Sequence, residues 1–334
     1  MSVTIKDVAK MAGVSISTVS RVINNSKPVS NDIRDRVLEV IKSTNYVPNP
    51  VARSLVLKKS NFIGVIVPNI SNYKIGEILN GIEEIGKMYD YDILLCNSYG
   101  ELEEEIKYIN LLKNKQVAGI LIVSWNLRKE VVELINASGI PSVFVSKNAK
   151  EYDVFSVGID HLRAGYDVGN YLLDKNNKDI VLVSPEYNSH TMNSFIIDGV
   201  KRAYRERNIT FDENKINYIK ETFSSAYEFM CEYIKDHEND FPDAVFATTD
   251  EMAAGIINAL VDNGRKVPEE VSVVGYDNTK ISNIIRPALT TVEQPLYDIG
   301  AISIRILIKK VEGADMKEKN ITLPHKIVER QSTK

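Results

Sequence analysis

Thr-Ile-Lys-Asp-Val-Ala-Lys-Met-Ala-Gly-Val-Ser-Ile-Ser-Thr-Val-Ser-Arg-Val-Ile-Asn, residues 4–24, carries the clearest structural signal in the chain. Apolar residues recur in it at helical spacing, so Thr4 can cap a first short helix. Gly13 can supply the positive φ of a tight turn, and Ser15 can cap a second helix that packs back on the first. The pattern predicts two helices joined by a turn, although alone it also fits any amphipathic hairpin.

The predicted second helix has an outer face suited to DNA. Small or hydrogen-bonding groups surround one guanidinium there: Ile16, Ser17, Ser20 and Arg21. Such a surface can lie in a major groove. The charge distribution agrees, because residues 1–59 hold ten Lys or Arg against four Asp or Glu, whereas the whole chain has a net charge of −4. We therefore expect a basic nucleic-acid module attached to an acidic body.

Two further elements follow in the amino-terminal region. Ser30 can cap a third helix whose apolar residues repeat every four positions and close a small core. Beyond Pro48-Asn49-Pro50, residues 51–57 could form a helix of about two turns, which is marginal alone because helix nucleation is costly. It should order only against a partner copy or DNA. Leu55 could wedge into a minor groove or merely pack in a linker, and the residues favour neither reading.

Composition restricts the classes of function. With 334 residues, of which 44% are hydrophobic and 26% charged, the chain suits a soluble protein of two or three domains. Cys96 and Cys231 lie far apart, and neither a leader segment nor an apolar run of about 20 residues is visible, so we expect a cytoplasmic, nucleoid-associated protein. The four histidines are scattered and a glycine-rich phosphate loop is absent, so we expect neither an enzyme nor a bound cofactor or metal.

From Asn61 onwards, short β-branched runs alternate with amphipathic helices. This alternation predicts a parallel sheet with helices on both faces. The same alternation of strands and helices begins again after Gly158, so we expect two doubly wound lobes around a cleft. Ligands should bind beyond the carboxyl ends of the strands. The predicted strands are 63–67, 93–96, 119–123, 142–145, 154–157, 180–183, 244–247 and 271–275, and the predicted helices are 73–88, 101–115, 130–137, 162–173, 193–207, 226–235, 251–262 and 295–311.

Four segments connect the first 67 residues to a known family. They are Ile5-Lys-Asp-Val-Ala-Lys-Met-Ala-Gly-Val-Ser, Thr18-Val-Ser-Arg-Val-Ile-Asn, Tyr46-Val-Pro-Asn-Pro-Val-Ala-Arg-Ser-Leu and Ile63-Gly-Val-Ile-Val-Pro. These segments resemble the head, hinge and first strand of the LacI family of bacterial repressors. The resemblance implies base contacts by Ile16, Ser17, Arg21, Ala52 and Leu55, with Leu55 as a minor-groove lever. It implies phosphate contacts by Ser15, Thr18, Asn24, Tyr46 and Arg53.

The remaining chain resembles the periplasmic-binding-protein-like core of the same family. The likeness is greatest at Thr248-Thr-Asp-Glu-Met-Ala-Ala-Gly, Val274-Gly-Tyr-Asp-Asn and Thr290-Thr-Val-Glu-Gln-Pro. It implies an all-α helix-turn-helix head at 1–46, a hinge at 47–59 and an α/β core of two doubly wound lobes at 60–334. The N-lobe would comprise 60–159 and 292–320, and the C-lobe 160–291 and 321–334.

The resemblance also implies an effector cleft lined by Tyr73, Trp125, Asp250 and Asp277. Asp250 could accept hydrogen bonds from sugar hydroxyls or simply cap its helix, and Trp125 could stack on an apolar ring face. Ile196 occupies the position at which sugar-binding relatives often have an arginine, and isoleucine cannot supply the forked donors of a guanidinium. The residues therefore leave open whether the cleft binds a sugar.

The late helix offers a second regulatory surface. Arg305 and Lys309 lie one turn apart on one face, where they could clamp a phosphate or complement the helix dipole in water. Catabolite-control members of the family bind the phosphocarrier protein HPr, phosphorylated on serine, at matching positions. The resemblance therefore implies partner-protein contacts at Tyr297, Asp298, Ala301, Ile302, Arg305, Lys309 and Lys326. Lys326 replaces an arginine, so bidentate geometry would be lost there.

Together these features predict a regulator. We expect a homodimeric repressor of carbon-metabolism genes that binds a pseudopalindromic operator, bends it through its hinges and responds to serine-phosphorylated HPr. The alternative is a local repressor whose cleft binds a sugar or phosphosugar effector. A cytosolic sugar-binding protein or an enzyme would leave the basic head without a role.

Overall fold

The computed structural model describes residues 3–24, 27–46, 60–124, 126–145, 152–185, 191–238 and 240–334. The chain divides into two compact units, Met1–Asn61 and Phe62–Lys334. The first unit is helical where it is described, and the second is built of alternating strands and helices. In the described residues, no helix combines the length and the apolar character needed to cross a bilayer.

The amino-terminal unit folds as the predicted helix-turn-helix. Helix α1 is Ile5–Ala12, α2 is Ile16–Asn24 and α3 is Asn31–Thr44. Thr4 and Asp7 form a reciprocal capping box at the start of α1, and Gly13 ends that helix with a φ of 65°. Ser15 Oγ accepts a hydrogen bond from the Thr18 amide at 3.2 Å, which caps α2 as expected.

A small apolar core holds these three helices together. Each helix contributes one fully buried valine, namely Val8, Val19 and Val37. Tyr46, just after α3, packs against the same cluster. Ser30 occupies the predicted N-cap position of α3, although within the described part of the chain its hydroxyl makes no capping hydrogen bond. The core explains the fixed arrangement of α2, since its buried side packs inward and its polar side is left outward.

The N-lobe of the second unit is a parallel sheet with helices on both faces. Its described strands run in the spatial order β11-β5-β4-β3-β1-β2. They are β1 Phe62–Val67, β2 Asp92–Asn97, β3 Gly119–Val123, β4 Ser142–Val145, β5 Ser156–Ile159 and β11 Asn320–Leu323. Helices α4 Tyr73–Met88 and α12 Leu296–Val311 cover one face, and α5 Leu102–Asn114 and α6 Lys129–Ser138 cover the other.

The C-lobe repeats this architecture. Its described strands have the order β12-β10-β9-β8-β6-β7, all parallel except β12, which runs antiparallel to β10. They are β6 Ile180–Ser184, β7 Ile216–Tyr218, β8 Ala244–Ala247, β9 Ser272–Asp277, β10 Thr290–Glu293 and β12 Lys326–Val328. Helices α7 His161–Asp174 and α8 Met192–Glu206 cover one face, and α9 Phe223–Asp236 and α10 Asp250–Asp262 cover the other; the short α11 is Lys280–Ile284.

The chain passes between the lobes three times. These crossings lie between β5 and α7, between β10 and α12, and between β11 and β12. Strand β11 pairs with β5 through Leu323, so the last crossing falls slightly later than the expected division at 320/321. Residues on both sides of the β10–α12 crossing form the centre of the candidate cleft described below.

Glycines allow two helices of the N-lobe to pack unusually close together. A Cβ at Gly300 in α12 would lie 2.1 Å from the Ile78 carbonyl oxygen in α4. Conversely, a Cβ at Gly81 in α4 would lie 2.1 Å from the Tyr297 carbonyl oxygen in α12. The backbones of α4 and α12 are therefore in direct contact at these two glycines, where any larger residue would push them apart. This close packing fixes α12 on the N-lobe.

Candidate nucleic-acid interface and regulatory sites

The outer face of α2 brings the predicted base-reading residues together. Ile16 has 44% of its side chain exposed, and Ser17 and Arg21 are exposed as well. Val19 and Val22 are buried on the opposite side of the helix. An apolar methyl-bearing group, a hydroxyl and a guanidinium thus share one accessible helix surface, which has the chemistry needed to contact base edges in a major groove.

Hydroxyl groups cluster at the start of the same helix. Ser15 Oγ lies 2.7 Å from Ser17 Oγ and 2.9 Å from Thr18 Oγ1. The positive end of the helix dipole and these hydroxyls make the amino terminus of α2 suitable for a DNA phosphate. Tyr46 is half-buried against the head core, and α2 ends at Asn24, whose side chain is outside the described residues.

The hinge residues cannot be placed in the same way. Ala52, Arg53 and Leu55 belong to residues 47–59, which lie outside the described part of the chain. Trp125, the predicted stacking residue of the cleft, also lies outside it. Their proposed contacts with DNA and with a ring face therefore remain predictions from the sequence.

Asp250 is a buried structural acceptor within the C-lobe. Only 1% of it is exposed, and Oδ2 accepts hydrogen bonds from the Thr279 amide at 2.6 Å and the Thr279 hydroxyl at 3.0 Å. Oδ1 accepts a hydrogen bond from the Thr291 hydroxyl at 2.5 Å. Burial, and then the nearby Asp277, raise the pKa of Asp250 to about 7. The alternative that Asp250 caps α10 is wrong, because Thr249 is the capping residue.

Asp277 lies at the carboxyl end of β9 and joins both lobes. Its carboxylate is 4% exposed and lies 3.3 Å from the ammonium of Lys74, which comes from α4 of the N-lobe. Gln294, in the β10–α12 crossing, donates a hydrogen bond to Oδ1 at 2.6 Å. Burial raises the pKa of Asp277, while Lys74 and Gln294 oppose that shift. Asp277 is therefore ion-paired inside the cleft.

The backbone at this point is also unusual. Asp277 has a φ of 108° and Asn278 a φ of 51°, so two consecutive residues other than glycine adopt left-handed conformations. Asn278 is fixed by Arg330, which donates to its Oδ1 at 2.6 Å, and by its own donation to Glu293 at 2.7 Å. These contacts aim the Asp277 carboxylate toward the N-lobe.

The other predicted cleft residues have different environments. Tyr73 is 56% exposed at the start of α4. Ile196 is fully buried in α8, where its carbonyl oxygen would lie 2.0 Å from a Cβ at Gly165. Ile196 therefore belongs to the packing between α7 and α8.

Lys74 was not among the predicted site residues, although its position in the sequence held a signal. The side chain is 1% exposed, and Lys74 precedes the buried residues Ile78 and Ile82 by four and eight positions. A lysine on the buried stripe of an amphipathic helix indicates an internal partner, because an unpaired ammonium is very costly to bury.

The outer face of α12 presents most of the predicted partner-protein residues. Tyr297, Asp298, Arg305 and Lys309 are exposed, and Ile302 is half-buried. A hydrogen bond with Glu84 of α4 raises the pKa of Tyr297. Two cations and an aromatic ring thus lie along one accessible helix.

Two of the residues expected to contact the partner protein have close neighbours within the chain itself. Ala301 is 5% exposed and lies beside α4, and a partner contact there stays a prediction. Lys326 is exposed but forms an ion pair with Glu293 at 2.9 Å. In the described residues, no group of three or more His, Cys, Asp or Glu side chains is arranged to hold a metal ion.

Comparison with known proteins identifies two known domain families in the chain. Residues 4–49 match the family described as bacterial regulatory proteins, lacI family, and residues 170–333 match the periplasmic binding protein-like domain. Both matches fall on the corresponding parts of the fold.

Individual relatives match over their full lengths. Catabolite control protein A of Priestia megaterium is 39% identical over 334 residues, covering 100% of both chains. The HTH-type transcriptional regulator RegA of Clostridium saccharobutylicum is 39% identical over 333 residues, again covering 100% of both. A crystal structure of the lac repressor dimer bound to operator and the anti-inducer ONPF is 25% identical and superposes with a TM-score of 0.89, covering 100% of this chain and 99% of that one.

Proposed function

Because this chain belongs to the LacI family of bacterial regulatory proteins, we propose that it is a homodimeric repressor that binds a pseudopalindromic operator in the cytoplasm. The observation that carries the proposal is the exposed face of α2, which presents Ile16, Ser17 and Arg21 on a rigid three-helix core. One head would read one half-site, so the twofold symmetry of a dimer would require an inverted repeat in the DNA.

Each residue of this face has a distinct role in the proposal. The Arg21 guanidinium donates two hydrogen bonds to a guanine edge, which is worth about 1–3 kcal/mol of discrimination against a wrong base. Ile16 contacts a thymine methyl group, and the Ser17 hydroxyl reads a neighbouring base edge. Ser15 and Thr18 hold the phosphate that sets the register of the helix in the groove.

The hinge couples the DNA contacts to the core. The two-turn helix predicted at 51–57 is marginal alone, so it would form where two copies meet on the operator. Leu55 and Ala52 would then enter the minor groove and kink it, with Arg53 on the backbone. Any ligand that changes the separation of the two N-lobes would alter the hinges and hence the affinity for DNA.

Replacement of Arg21 tests the proposed base contacts. Arg21→Ala should lower the ratio of operator to random-DNA affinity about tenfold to a hundredfold, as measured by fluorescence anisotropy of full-length protein on labelled duplexes. Arg36, exposed on α3, provides the matched control. Arg36→Ala should change both affinities by the same small factor, since it would at most contact phosphate. Unchanged discrimination in Arg21→Ala would remove this residue from base reading.

We also propose that the repressor controls carbon-metabolism genes together with HPr phosphorylated on serine. One similar protein is named catabolite control protein A, which supports such a regulon. Arg305 and Lys309 are exposed one turn apart on α12 and could chelate a phosphoserine, with Tyr297 and Ile302 supplying apolar contact. Binding would favour the N-lobe arrangement that orders the hinges.

A charge reversal on α12 distinguishes this partner from others. Arg305→Glu should abolish the increase in operator affinity caused by serine-phosphorylated HPr and leave the affinity without HPr unchanged. Arg205→Glu is the control, because Arg205 is an exposed arginine in the last turn of α8 on the other lobe. A response to HPr that survives Arg305→Glu would exclude the α12 surface.

A sugar-responsive repressor is the second candidate. It is favoured by a cavity of 280 Å³ whose lining includes Asp277, Asn278 and Gln294. Gln294 is 4% exposed, and its Oε1 has no hydrogen-bond partner among the described residues, so it could accept a ligand hydroxyl. Calorimetric titration with common sugars and phosphosugars, alongside phosphorylated HPr, separates the two modes. A sugar that shifts operator affinity when HPr does not would favour the local repressor.

A further inference from the structure

An ion pair between Lys74 and Asp277 spans the cleft of the core. Lys74 is the second residue of α4 in the N-lobe, and Asp277 is the last residue of β9 in the C-lobe. The Lys74 ammonium lies 3.3 Å from each oxygen of the Asp277 carboxylate. The two residues are 203 positions apart in the chain, so their contact ties one lobe directly to the other.

Both charges are removed from water. Lys74 is 1% exposed and Asp277 is 4% exposed. A lysine has a long flexible stem and, at the first turn of a helix beside a cleft, it could reach solvent if the lobes were apart. Its burial therefore depends on lobe closure, and the Asp277 carboxylate offsets the cost of removing the ammonium from water.

Lys74 compensates the negative charge of more than one carboxyl group of the C-lobe. The half-buried Glu221 carboxyl of the C-lobe has a raised pKa owing to burial, and Lys74 opposes that shift while Asp277 adds to it. Glu221 also accepts a hydrogen bond from Asn72, the residue that caps α4, at 3.4 Å. Acidic groups of the C-lobe thus converge on the start of one N-lobe helix, where Lys74 provides the positive charge.

We propose that Lys74 is an intramolecular occupant of the cleft, whose ammonium holds the two lobes together across Asp277 without a small-molecule effector. A neutral ligand that uses the Asp277 carboxylate must first displace this ammonium. The cleft is therefore closed in the free protein, and this closure can be tested without DNA or an α12 partner. Lys74 acts through Asp277 as a positioning residue.

Amine labelling of the unmodified full-length protein gives the first test. Lys87 lies in the same helix but is exposed, so it reports the reactivity of an accessible lysine. With an acetylating reagent and peptide mass spectrometry, Lys74 should react at least about tenfold more slowly than Lys87, because labelling requires the lobes to open. Equal rates for the two lysines would overturn the proposal, and no substitution is needed to see it.

Interlobe distances give the second test. Two spin labels can report the distance between the lobes by pulsed electron paramagnetic resonance. They are attached at Glu103→Cys in α5 and Glu228→Cys in α9, after the native cysteines are removed by Cys96→Ser and Cys231→Ser. Labelled chains are diluted with unlabelled protein so that distances within one chain are measured. Lys74→Met should lengthen and broaden the distance distribution, whereas Lys74→Arg should restore it by keeping the charge. The exposed-site control Lys87→Met should match the parent protein. A Lys74→Met chain with the parent distribution would overturn the proposal.

Discussion

Gly300→Ala should destabilise the core by separating α12, which carries the candidate partner surface, from α4. The new Cβ would lie 2.1 Å from the Ile78 carbonyl oxygen, 3.0 Å from the Ile78 carbonyl carbon and 3.2 Å from the Ile82 amide nitrogen. All three atoms belong to the backbone of α4, so no flexible side chain can turn away. The helices would have to move apart by about 1 Å before the contact becomes ordinary.

Two opposing effects determine how far Gly300→Ala lowers the free energy of unfolding. Overpacking of a tight interface costs about 3 kcal/mol when the backbone must move, which is the upper end of the usual range. Alanine improves helix propensity over glycine by about 1 kcal/mol. We therefore expect the free energy of unfolding to fall by about 2 kcal/mol.

Gly76→Ala is the matched control in α4. A Cβ at Gly76 meets no atom within 4 Å among the described residues, so only the gain in helix propensity should remain. Urea unfolding of the full-length chain, followed by circular dichroism, should show Gly76→Ala more stable by about 0.5–1 kcal/mol. Equal stability of the Gly300→Ala and Gly76→Ala chains would refute the close backbone contact.

Three further outcomes are expected. Thr4→Ala should destabilise the head by about 1 kcal/mol, with Thr4→Ser close to the parent protein in thermal unfolding followed by circular dichroism; an unchanged melting curve for Thr4→Ala would contradict the capping role. The pKa of Asp250 is about 7 in the folded chain, against an ordinary value of 3.8. Between these two values the folded core retains a proton that the unfolded chain releases, so the free energy of unfolding should fall as pH rises from about 4 to about 7. Asp250→Asn should flatten this pH dependence in urea titrations, and an identical slope would assign it to another group. Operator affinity measured by anisotropy should fall about a thousandfold or more between about 50 mM and about 200 mM salt, whereas a weak salt dependence would exclude a phosphate-rich interface.

Local sequence signals predicted most of the secondary structure. Helix α4 was predicted at 73–88 and is observed at Tyr73–Met88, because an N-capping Asn72 and a regular apolar stripe define it locally. Strand β4 was likewise predicted with its observed bounds, Ser142–Val145. Both elements are long or strongly patterned enough for neighbouring residues to determine them.

Elements that depend on distant partners were harder to predict. Strand β5 was predicted at 154–157 but is Ser156–Ile159, since its register is set by pairing with β4 and with β11. Strands β7, β10, β11 and β12 and the short α11 were not predicted, because these short segments lack both the continuous apolar run seen in β4 and a helical repeat. Their positions follow from the sheets they join.

The same distinction applies to the candidate sites. The predicted base-reading residues of α2 lie within one local motif, so their common face followed from helical spacing. Lys74 and Asp277 come into contact only after both lobes fold. The sequence around either residue does not predict the other as its partner. Asp250 occupies a strand–helix junction that suggested a ligand site, but Thr279 and Thr291 from later segments supply its hydrogen bonds.

Selection of bound sequences from a random duplex library by the full-length protein tests operator recognition most directly. We predict enrichment of one inverted repeat whose half-sites share a guanine that Arg21→Ala no longer selects. Recovery of no preferred sequence at low ionic strength, with or without serine-phosphorylated HPr, would contradict a repressor that reads DNA through α2.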